Sequence, residues 1–196
     1  MKENIFNTGY VNENYLKEIG IKSVGKNVLV QKSCTIVGIE NITIGSNVRI
    51  DGFNSLIAPN EVGLSIGSFV HIGAQCVISS NYGIEISDFV GLSHGVKIFS
   101  GTDDYTGEAL TNPTVPSAFT KIYKGKVKLS KHVVVGSGSV ILPNLTIGIG
   151  SSIGALSLVN HSIGSWGVYF GSPVKKLKER SKNLLELEKR FLSYKE

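Results

Sequence analysis

An aliphatic residue recurs at every sixth position through most of this chain, often with a glycine directly behind it. The clearest series holds one phase over five hexads and contains Leu129, Val135, Ile141, Ile147, Ile153 and Val159. Helices repeat apolar residues about every 3.6 positions and strands every 2, so neither explains a period of six. Such a period fits a short strand and a corner, three times per turn of a parallel β-helix. A glycine-rich β-sandwich is the alternative, but it does not hold one phase this long.

Earlier hexads start at Val24, and a second series contains Ile66, Ile72 and Ile78. Position five of many hexads is again apolar or small, and Cys34 and Cys76 both fall on it. We therefore expect both thiols to point inward; without a CxxC or a Cys/His cluster, a disulfide or metal pair is the weaker interpretation. The glycine that follows position one is expected to allow a corner with positive φ.

Length and composition predict one principal domain. The chain has 196 residues, of which 41% are hydrophobic, enough for one sizeable core. No apolar run approaches the ~20 residues that a membrane helix needs. The N-terminal segment MKENIFNTGYVNENYLKEIG is polar and lacks the apolar core of a signal peptide. We therefore predict a cytoplasmic protein without membrane insertion.

Positive charge is concentrated near the C-terminus, within an overall net charge of +5. The cationic residues between positions 175 and 190 are Lys175, Lys176, Lys178, Arg180, Lys182, Lys189 and Arg190. Nucleic-acid binding is disfavoured because aromatic residues for base stacking are scarce there. The patch favours a smaller anion such as a phosphate-bearing cofactor, with a solvated helix face as the alternative.

The hexads divide the chain into three parts. Residues 1–23 are predicted to form a cap with a helix from Tyr10 to Gly20 over the first turn of the coil. Residues 24–173 form the β-helix, and residues 101–126 interrupt it with a polar, proline-containing loop that we expect to be functional. Residues 174–196 are predicted to form a helix that covers the other open end.

Three segments carry a resemblance to a known family. They are FSGTDDYTGEALTNPTVP, VVVGSGSVILPNLTIGIGSSIGALSLV and GSPVKKLKER, in that order. The chain resembles the hexapeptide-repeat acyltransferases, and within them the galactoside and maltose O-acetyltransferases and enzymes that acetylate surface-polysaccharide sugars. The resemblance implies a left-handed parallel β-helix, a homotrimer with active sites between neighbouring chains, and acetyl-CoA as co-substrate.

The resemblance also implies cofactor contacts. Ser137 corresponds to a serine near the thioester, and Ala155 to a small residue whose backbone meets the pantetheine arm. The positions matched to the nucleotide end and the phosphates of CoA are Asn160, His161, Lys175 and Lys178. Plain packing of the coil is the alternative for Ser137 and Ala155.

The catalytic position departs from the family pattern. Acetylating a sugar hydroxyl requires a general base within hydrogen-bond reach. The histidine that the family places at the start of the loop corresponds here to Asp103, and residues 101–126 contain no histidine. A carboxylate of ordinary pKa, about 3.9, is a poor base for an alcohol, although burial or repulsion from Asp104 would raise it. The pair is alternatively suited to binding sugar hydroxyls or a substrate ammonium.

His94 is the other candidate base, with a solvated surface histidine as the alternative. His71 and His132 are expected to lie outward in solvent. A zinc site like that of the β-helical carbonic anhydrases is disfavoured, because no two histidines are about four residues apart. We therefore predict no metal.

Acceptor-binding candidates precede the loop. Gln75 and Ser80 fall near the family's sugar contacts, and Asn81, Tyr82 and Glu85 could line the same cleft. The sequence thus favours an acetyl-CoA-dependent sugar O-acetyltransferase of bacterial surface-polysaccharide (O-antigen or capsule) biosynthesis. N-acetylation of a nucleotide-linked amino sugar is the alternative, because an amine attacks without the missing histidine. A non-catalytic trimeric scaffold is the second alternative.

Overall fold

The computed structural model describes residues 8–194, and they form a parallel β-helix of about seven turns. Each turn contributes one strand to each of three sheets, which we number 1, 2 and 3 in chain order. A strand pairs in parallel with the strand one turn away, as Val77–Ser79 does with both Ser55–Ile57 and Lys97–Phe99. The coil predicted from the six-residue period is confirmed.

The strands are assigned as follows. Sheet 1 contains Tyr10–Asn12, Val28–Gln31, Val48–Ile50, His71–Ile72, Gly91–Leu92, Val134–Val135, Ser152–Ile153, Gly167–Phe170 and Lys175–Glu179. Sheet 2 contains Thr35–Val37, Ser55–Ile57, Val77–Ser79, Lys97–Phe99, Val140–Ile141 and Leu158–Val159. Sheet 3 contains Ser23–Val24, Ile42–Ile44, Leu64–Ile66, Ile84–Ile86, Val127–Leu129 and Leu145–Ile147. We name the corners by the sheets that they join: 1–2, 2–3 and 3–1.

The interior of the prism is filled by the aliphatic residues of the hexads. Ile72, Leu92, Val135 and Ile153 lie in register on successive strands of sheet 1 and are all buried. Cys76 is buried and Cys34 is half-buried; both are free thiols, and Sγ of Cys34 donates to the Asp51 carbonyl. The inward orientation expected for the two cysteines is confirmed.

The expected reason for the hexad glycines is wrong. Positive φ falls not on these glycines but two residues later, at positions such as Phe69, Gln75 and Leu156. The glycines instead admit the backbone of the next turn. A Cβ at Gly136 would lie 2.4 Å from the backbone nitrogen of Ala155, a separation that real Cβ atoms do not show.

The N-terminal helix is shorter than predicted. Tyr10–Asn12 form a strand antiparallel to Val28–Gln31, and helix α1 spans only Glu13–Glu18. The Asn12 side chain caps this helix by accepting from the backbone N–H groups of Asn14 and Tyr15. Leu16 is buried against the first turn of the coil. Residues 1–7 of the predicted cap lie outside the described residues.

The predicted C-terminal helix is present, but it is shorter than predicted and lies along one side of the coil instead of over its open end. Lys175–Glu179 form a strand antiparallel to Gly167–Phe170, and helix α2 spans Leu184–Ser193. Helix α2 lies along corner 3–1, where the Phe191 ring makes edge contacts with Phe69 and Phe89. Residues 195 and 196 lie outside the described part of the chain.

The interrupting segment leaves the coil at corner 2–3. It begins and ends as a two-stranded ribbon in which Gly101–Asp103 pair antiparallel with Ile122–Lys124. A single turn of 3-10 helix, Ser117–Phe119, lies within it, and another, Ile39–Asn41, lies at the same corner three turns earlier. None of the helices between residues 8 and 194 has the length and apolar character needed to span a bilayer.

Candidate functional site

The candidate residues lie along the two edges of sheet 2. Corner 1–2 brings together Gln75, His94, Ser137 and Ala155 on four successive turns. Backbone hydrogen bonds tie these turns: Gly138 N–H donates to the His94 carbonyl at 2.9 Å, and Leu156 N–H to the Ser137 carbonyl at 2.8 Å. A candidate base and two candidate cofactor contacts therefore share one edge.

This edge presents unused hydrogen-bond donors. The backbone N–H groups of His94, Ser137 and Ala155 donate to no acceptor within residues 8–194. All three residues are exposed. A row of free amides suits the carbonyl groups of an extended amide-containing chain or a developing oxyanion.

The His94 side chain crosses the preceding turn at Gly73. A Cβ at Gly73 would lie 2.7 Å from Nδ1 of His94, so the glycine leaves room for the imidazole. Neither ring nitrogen of His94 has a hydrogen-bond partner among the described residues. The ring is therefore available to a ligand at corner 1–2.

Corner 2–3 contains a cavity of about 850 Å³ beneath the loop. This volume lies within the range of small-molecule sites. The residues that matter for its chemistry are Asn81, Tyr82, Phe99, Asp103, Val140 and Leu142. Asn81 and Tyr82 thus lie beside Asp103, whereas Glu85 is engaged elsewhere: its carboxylate binds Nζ of Lys126 at 2.7 Å and of Lys128 at 2.8 Å.

The two adjacent aspartates have different surroundings. Oδ1 of Asp104 accepts from the backbone N–H and the hydroxyl of Thr106, and Oδ2 accepts from the N–H groups of Glu108 and Ala109. These bonds, led by the Thr106 hydroxyl, lower the pKa of Asp104 to about 2. The Asp103 carboxylate has no such partner within residues 8–194. Asp104 is thus committed to the loop, and Asp103 is free to meet a substrate.

Ser80 is not available to an acceptor. Its side chain is fully buried, and the hydroxyl donates to the Gly63 carbonyl at 2.5 Å. The inward direction follows from its place at the first residue of corner 2–3. The prediction of Ser80 as a substrate contact is therefore wrong.

The remaining cofactor candidates are dispersed. Asn160 and His161 lie on corner 2–3, across sheet 2 from Ala155, and bond each other through Oδ1 and Nδ1 at 2.8 Å. Lys175 pairs with Phe170 at the end of sheet 1 that adjoins corner 1–2, and Lys178 pairs with Val168 further along. Both lysines are exposed. Of these four residues, Lys175 lies nearest to the edge that carries Ala155.

Sequence reasoning missed two clusters and misjudged one histidine. His132, expected in solvent, is buried, and its Nε2 lies 2.9 Å from Oε2 of Glu188 on helix α2. The second cluster joins Arg49 and His71 through Asp51 on sheet 1. Their register, with Arg49 opposite His71 one turn later, was the available signal. Within residues 8–194 no group of three or more His, Cys, Asp or Glu side chains is arranged to hold a metal ion.

No protein-family model matches the chain. The chain is 42% identical to dTDP-4-amino-4,6-dideoxy-D-glucose acyltransferase of Escherichia coli, over 93% of this chain and 94% of the relative. The crystal structure of AntD, an N-acyltransferase from Bacillus cereus in complex with dTDP and 3-hydroxybutyryl-CoA, is 41% identical, covers 96% of this chain and 98% of its own, and superposes with a TM-score of 0.91. Galactoside O-acetyltransferase of Lactococcus lactis is 32% identical over 62% of this chain and 58% of its own.

Proposed function

The chain belongs to the hexapeptide-repeat acyltransferases, and from this premise we propose that it transfers an acyl group from acyl-CoA to the amino group of a nucleotide-linked amino sugar. The observation that carries the proposal is the similarity, along almost the whole chain, to an acyltransferase of a dTDP-linked amino sugar and to an N-acyltransferase in complex with dTDP and an acyl-CoA. O-acetylation, which the loop resemblance favoured, is supported only by relatives that match less of the chain.

The loop chemistry agrees with an amine acceptor. A sugar hydroxyl needs a strong general base, and residues 101–126 supply none. The ammonium first gives up one proton to become the nucleophilic amine. The amine nitrogen then bonds to the thioester carbonyl carbon and gives up a second proton, while the C–S bond breaks and the sulfur leaves with the electron pair and ends as a thiol. Two protons therefore leave the nitrogen for each thiol that is released, and one of them is taken up by the sulfur.

We assign the Asp103 carboxylate to hold the acceptor ammonium and to receive its proton. The unpartnered carboxylate in the cavity at corner 2–3 supports this role. His94 is the alternative acceptor of that proton, at corner 1–2. The free N–H groups of Ser137 and Ala155 are proposed to bind the pantetheine arm and the oxyanion of acetyl-CoA.

We propose a homotrimer because these groups lie too far apart within a single chain to act on the same substrate. Gly95 and Gly101 flank the strand Lys97–Phe99 on opposite sides of sheet 2, and six residues of chain span at most roughly 20 Å. Asp103 and His94 of one chain thus lie on opposite edges. A neighbouring chain would bring its own loop to corner 1–2.

The outer face of sheet 2 supports this assembly. Its outward residues include a set of apolar side chains that are only partly covered, namely Val37, Ile57, Val77, Phe99, Val140, Leu142 and Leu158, together with the polar Thr35, Ser55, Ser79 and Lys97. The outward residues of sheet 3 are polar: Thr43, Ser65, Glu85, Lys128 and Thr146. We propose that a second copy of the chain covers sheet 2, since exposed apolar faces of this kind mark contact surfaces.

We propose that the enzyme acts in the biosynthesis of a bacterial surface polysaccharide. We propose that it does so in the cytoplasm, because CoA thioesters are available there. The proposed function also replaces the scaffold alternative, since free carboxylate, imidazole and amide groups remain at both edges of sheet 2.

The test measures thiol release from acetyl-CoA with dTDP-4-amino-4,6-dideoxyglucose and, as the matched control, the same nucleotide sugar with a hydroxyl at C4. We expect release with the amine and no release with the hydroxyl. Thiol release with the hydroxyl-bearing sugar but not with the amino sugar would instead support O-acetylation. Absence of release and of CoA binding by calorimetry would reject the acyltransferase proposal.

A further inference from the structure

Arg49, Asp51 and His71 form a charged cluster at sheet 1, on the two turns that precede the turn carrying His94. Nε of Arg49 donates to Oδ1 of Asp51 at 2.7 Å, and Oδ2 of Asp51 lies 2.8 Å from Nε2 of His71. The Tyr10 hydroxyl also donates to Oδ1, at 2.9 Å. The Asp51 side chain is 14% exposed, against 60% for Arg49 and 51% for His71. One shielded carboxylate therefore orients two exposed groups.

The cluster retains unused donor capacity. Asp51 engages one nitrogen of Arg49 and one of His71. A terminal guanidinium nitrogen of Arg49 bonds the Tyr10 hydroxyl at 3.3 Å, while the other terminal nitrogen and Nδ1 of His71 have no partner among the described residues. Against two groups able to carry positive charge there is one carboxylate. A second anion would balance the charge of the cluster, and the planar guanidinium of Arg49 is suited to bind phosphate oxygens.

A concave surface adjoins these donors. A cavity of about 330 Å³ is lined by Asn27, Leu29, Asn47, Arg49, Phe69 and His71. Nδ2 of Asn27 donates to Oδ1 of Asn47 at 3.1 Å, so the Asn47 amide N–H groups remain unused within residues 8–194. The site thus combines a guanidinium, an imidazole, amide donors and an apolar wall.

The surface between this cluster and corner 1–2 is open. His71 pairs with Gly91, and Ser93 follows two residues later beside His94. Strand geometry places the Cα atoms of His71 and Ser93 roughly 8 Å apart. A Cβ at Gly91 would meet no atom within 4 Å. When a ligand is bound at the cluster, a sugar ring attached to it can therefore lie over this open surface and extend toward His94.

We propose that Arg49 and His71, oriented by Asp51, bind the diphosphate of the nucleotide-linked acceptor. The inference rests on the proposed function and adds to it the element that selects a nucleotide-linked sugar over a free one. The diphosphate supplies the anion, and the attached sugar reaches the edge that carries His94.

The test is calorimetric binding of dTDP and of inorganic pyrophosphate to the full chain. Arg49→Met is expected to weaken dTDP binding about tenfold or more, and His71→Asn by a smaller factor, as expected for losing contacts to a charged ligand. Arg49→Lys, which keeps the charge but loses the fork, should fall between wild type and Arg49→Met. Lys22→Met removes an exposed cation beside sheet 3 and should bind like wild type. Wild-type affinity in both cluster variants, or no dTDP binding by the wild type, overturns the proposal.

Kinetics separate this inference from the proposed function. In the cluster variants KM should rise for the dTDP-linked amine and stay unchanged for acetyl-CoA and for the amino sugar without nucleotide. A fall in kcat at unchanged acceptor KM would assign His71 to proton transfer and overturn the diphosphate role. If wild type binds dTDP through Arg49 but acylates no amino sugar, the proposed function fails while the diphosphate site stands.

Discussion

His132 and Glu188, 56 residues apart, meet through Nε2 and Oε2 at 2.9 Å, and both side chains are nearly buried. Oε1 of Glu188 makes no hydrogen bond of acceptable geometry with the described residues. It forms an ion pair with Lys131, whose Nζ lies 2.5 Å away. Nearby, Nη1 of Arg180 donates to the carbonyls of His132 and Gly150 at 2.8 and 2.9 Å. Helix α2 is thus fixed to corner 3–1 by charged groups as well as by the Phe191 ring.

The first prediction concerns the stability of this contact. Glu188→Gln should lower the free energy of unfolding by about 1 to 3 kcal/mol, because the partly buried Lys131 and His132 lose their counter-ion. Urea denaturation at pH 7 measures it. Glu186→Gln, on the exposed side of the same helix, removes only a surface pair with Lys189 and should leave the denaturation midpoint nearly unchanged. Equal midpoints for the two variants would contradict the anchoring role.

The same contact predicts a pH dependence. Burial raises the pKa of Glu188, but its bonds to Lys131 and His132 outweigh this, so the pKa is lowered overall. The carboxylate therefore stabilises the fold above the pKa of the unfolded chain, about 4.3, and this contribution is lost as pH falls through the lower folded pKa. Hydrogen exchange of residues 184–193 should accelerate in that window. In Glu188→Gln it should be fast already at pH 7.

The second prediction concerns assembly. Val140→Glu introduces a charge into the apolar outer face of sheet 2 and should shift the particle from trimer to monomer in sedimentation velocity. Thr146→Glu places the same charge on the polar outer face of sheet 3 and should leave the trimer intact. A wild-type monomer, or a trimer unaffected by Val140→Glu, would contradict the proposed interface.

The third prediction concerns proton transfer. Asp103→Ala should lower turnover with the amino-sugar acceptor strongly, because the ammonium loses its counter-ion and proton acceptor, and His94→Ala should be the second most harmful change. General-base contributions of about a hundredfold or more set the expected scale. Steady-state kinetics under saturating acetyl-CoA measure both. Full activity in both variants would show that neither side chain carries the proton.

The fourth prediction concerns the acyl donor. Ala155→Leu should raise KM for acetyl-CoA about tenfold or more, because the larger side chain occupies the surface proposed for the pantetheine arm. Folding should be unaffected, since Ala155 is exposed. Ser165→Leu is the matched control: Ser165 occupies the equivalent place above Gly148 on corner 3–1. Similar KM values in the two variants would show that acetyl-CoA does not bind at corner 1–2.

The fifth prediction separates the two aspartates by pH. The hydrogen bonds to Asp104 hold its pKa at about 2, so its contribution to loop order is present above the unfolded pKa, about 3.9, and fades as pH falls toward 2. The amides of Thr106, Glu108 and Ala109 should lose protection from exchange across that range. Asp104→Asn should weaken their protection at pH 7, whereas Asp103→Asn should not.

The hexad period predicted the coil because burial at every sixth residue is a local property of the sequence. It placed Cys76 inside and put His94 and Ser137 at outward positions of successive turns. It did not reveal that the Ser80 side chain points inward or that the Asp104 carboxylate is fully hydrogen-bonded within its own loop. Those outcomes depend on which carbonyl or hydroxyl lies within 3 Å in space, as Gly63 does for Ser80.

By itself, the sequence determined the architecture of this protein: a six-residue repeat of aliphatic side chains can be buried only by stacking turns, whatever the remaining residues are. The tertiary structure alone decided which polar groups face one another. It placed Asp103 and His94 on opposite edges of sheet 2, joined Arg49 to His71 through Asp51, and buried His132 beneath helix α2. Side-chain chemistry acts over a few ångströms, and pairs such as Asp51 with His71 and His132 with Glu188 come that close although 20 and 56 residues separate them along the chain.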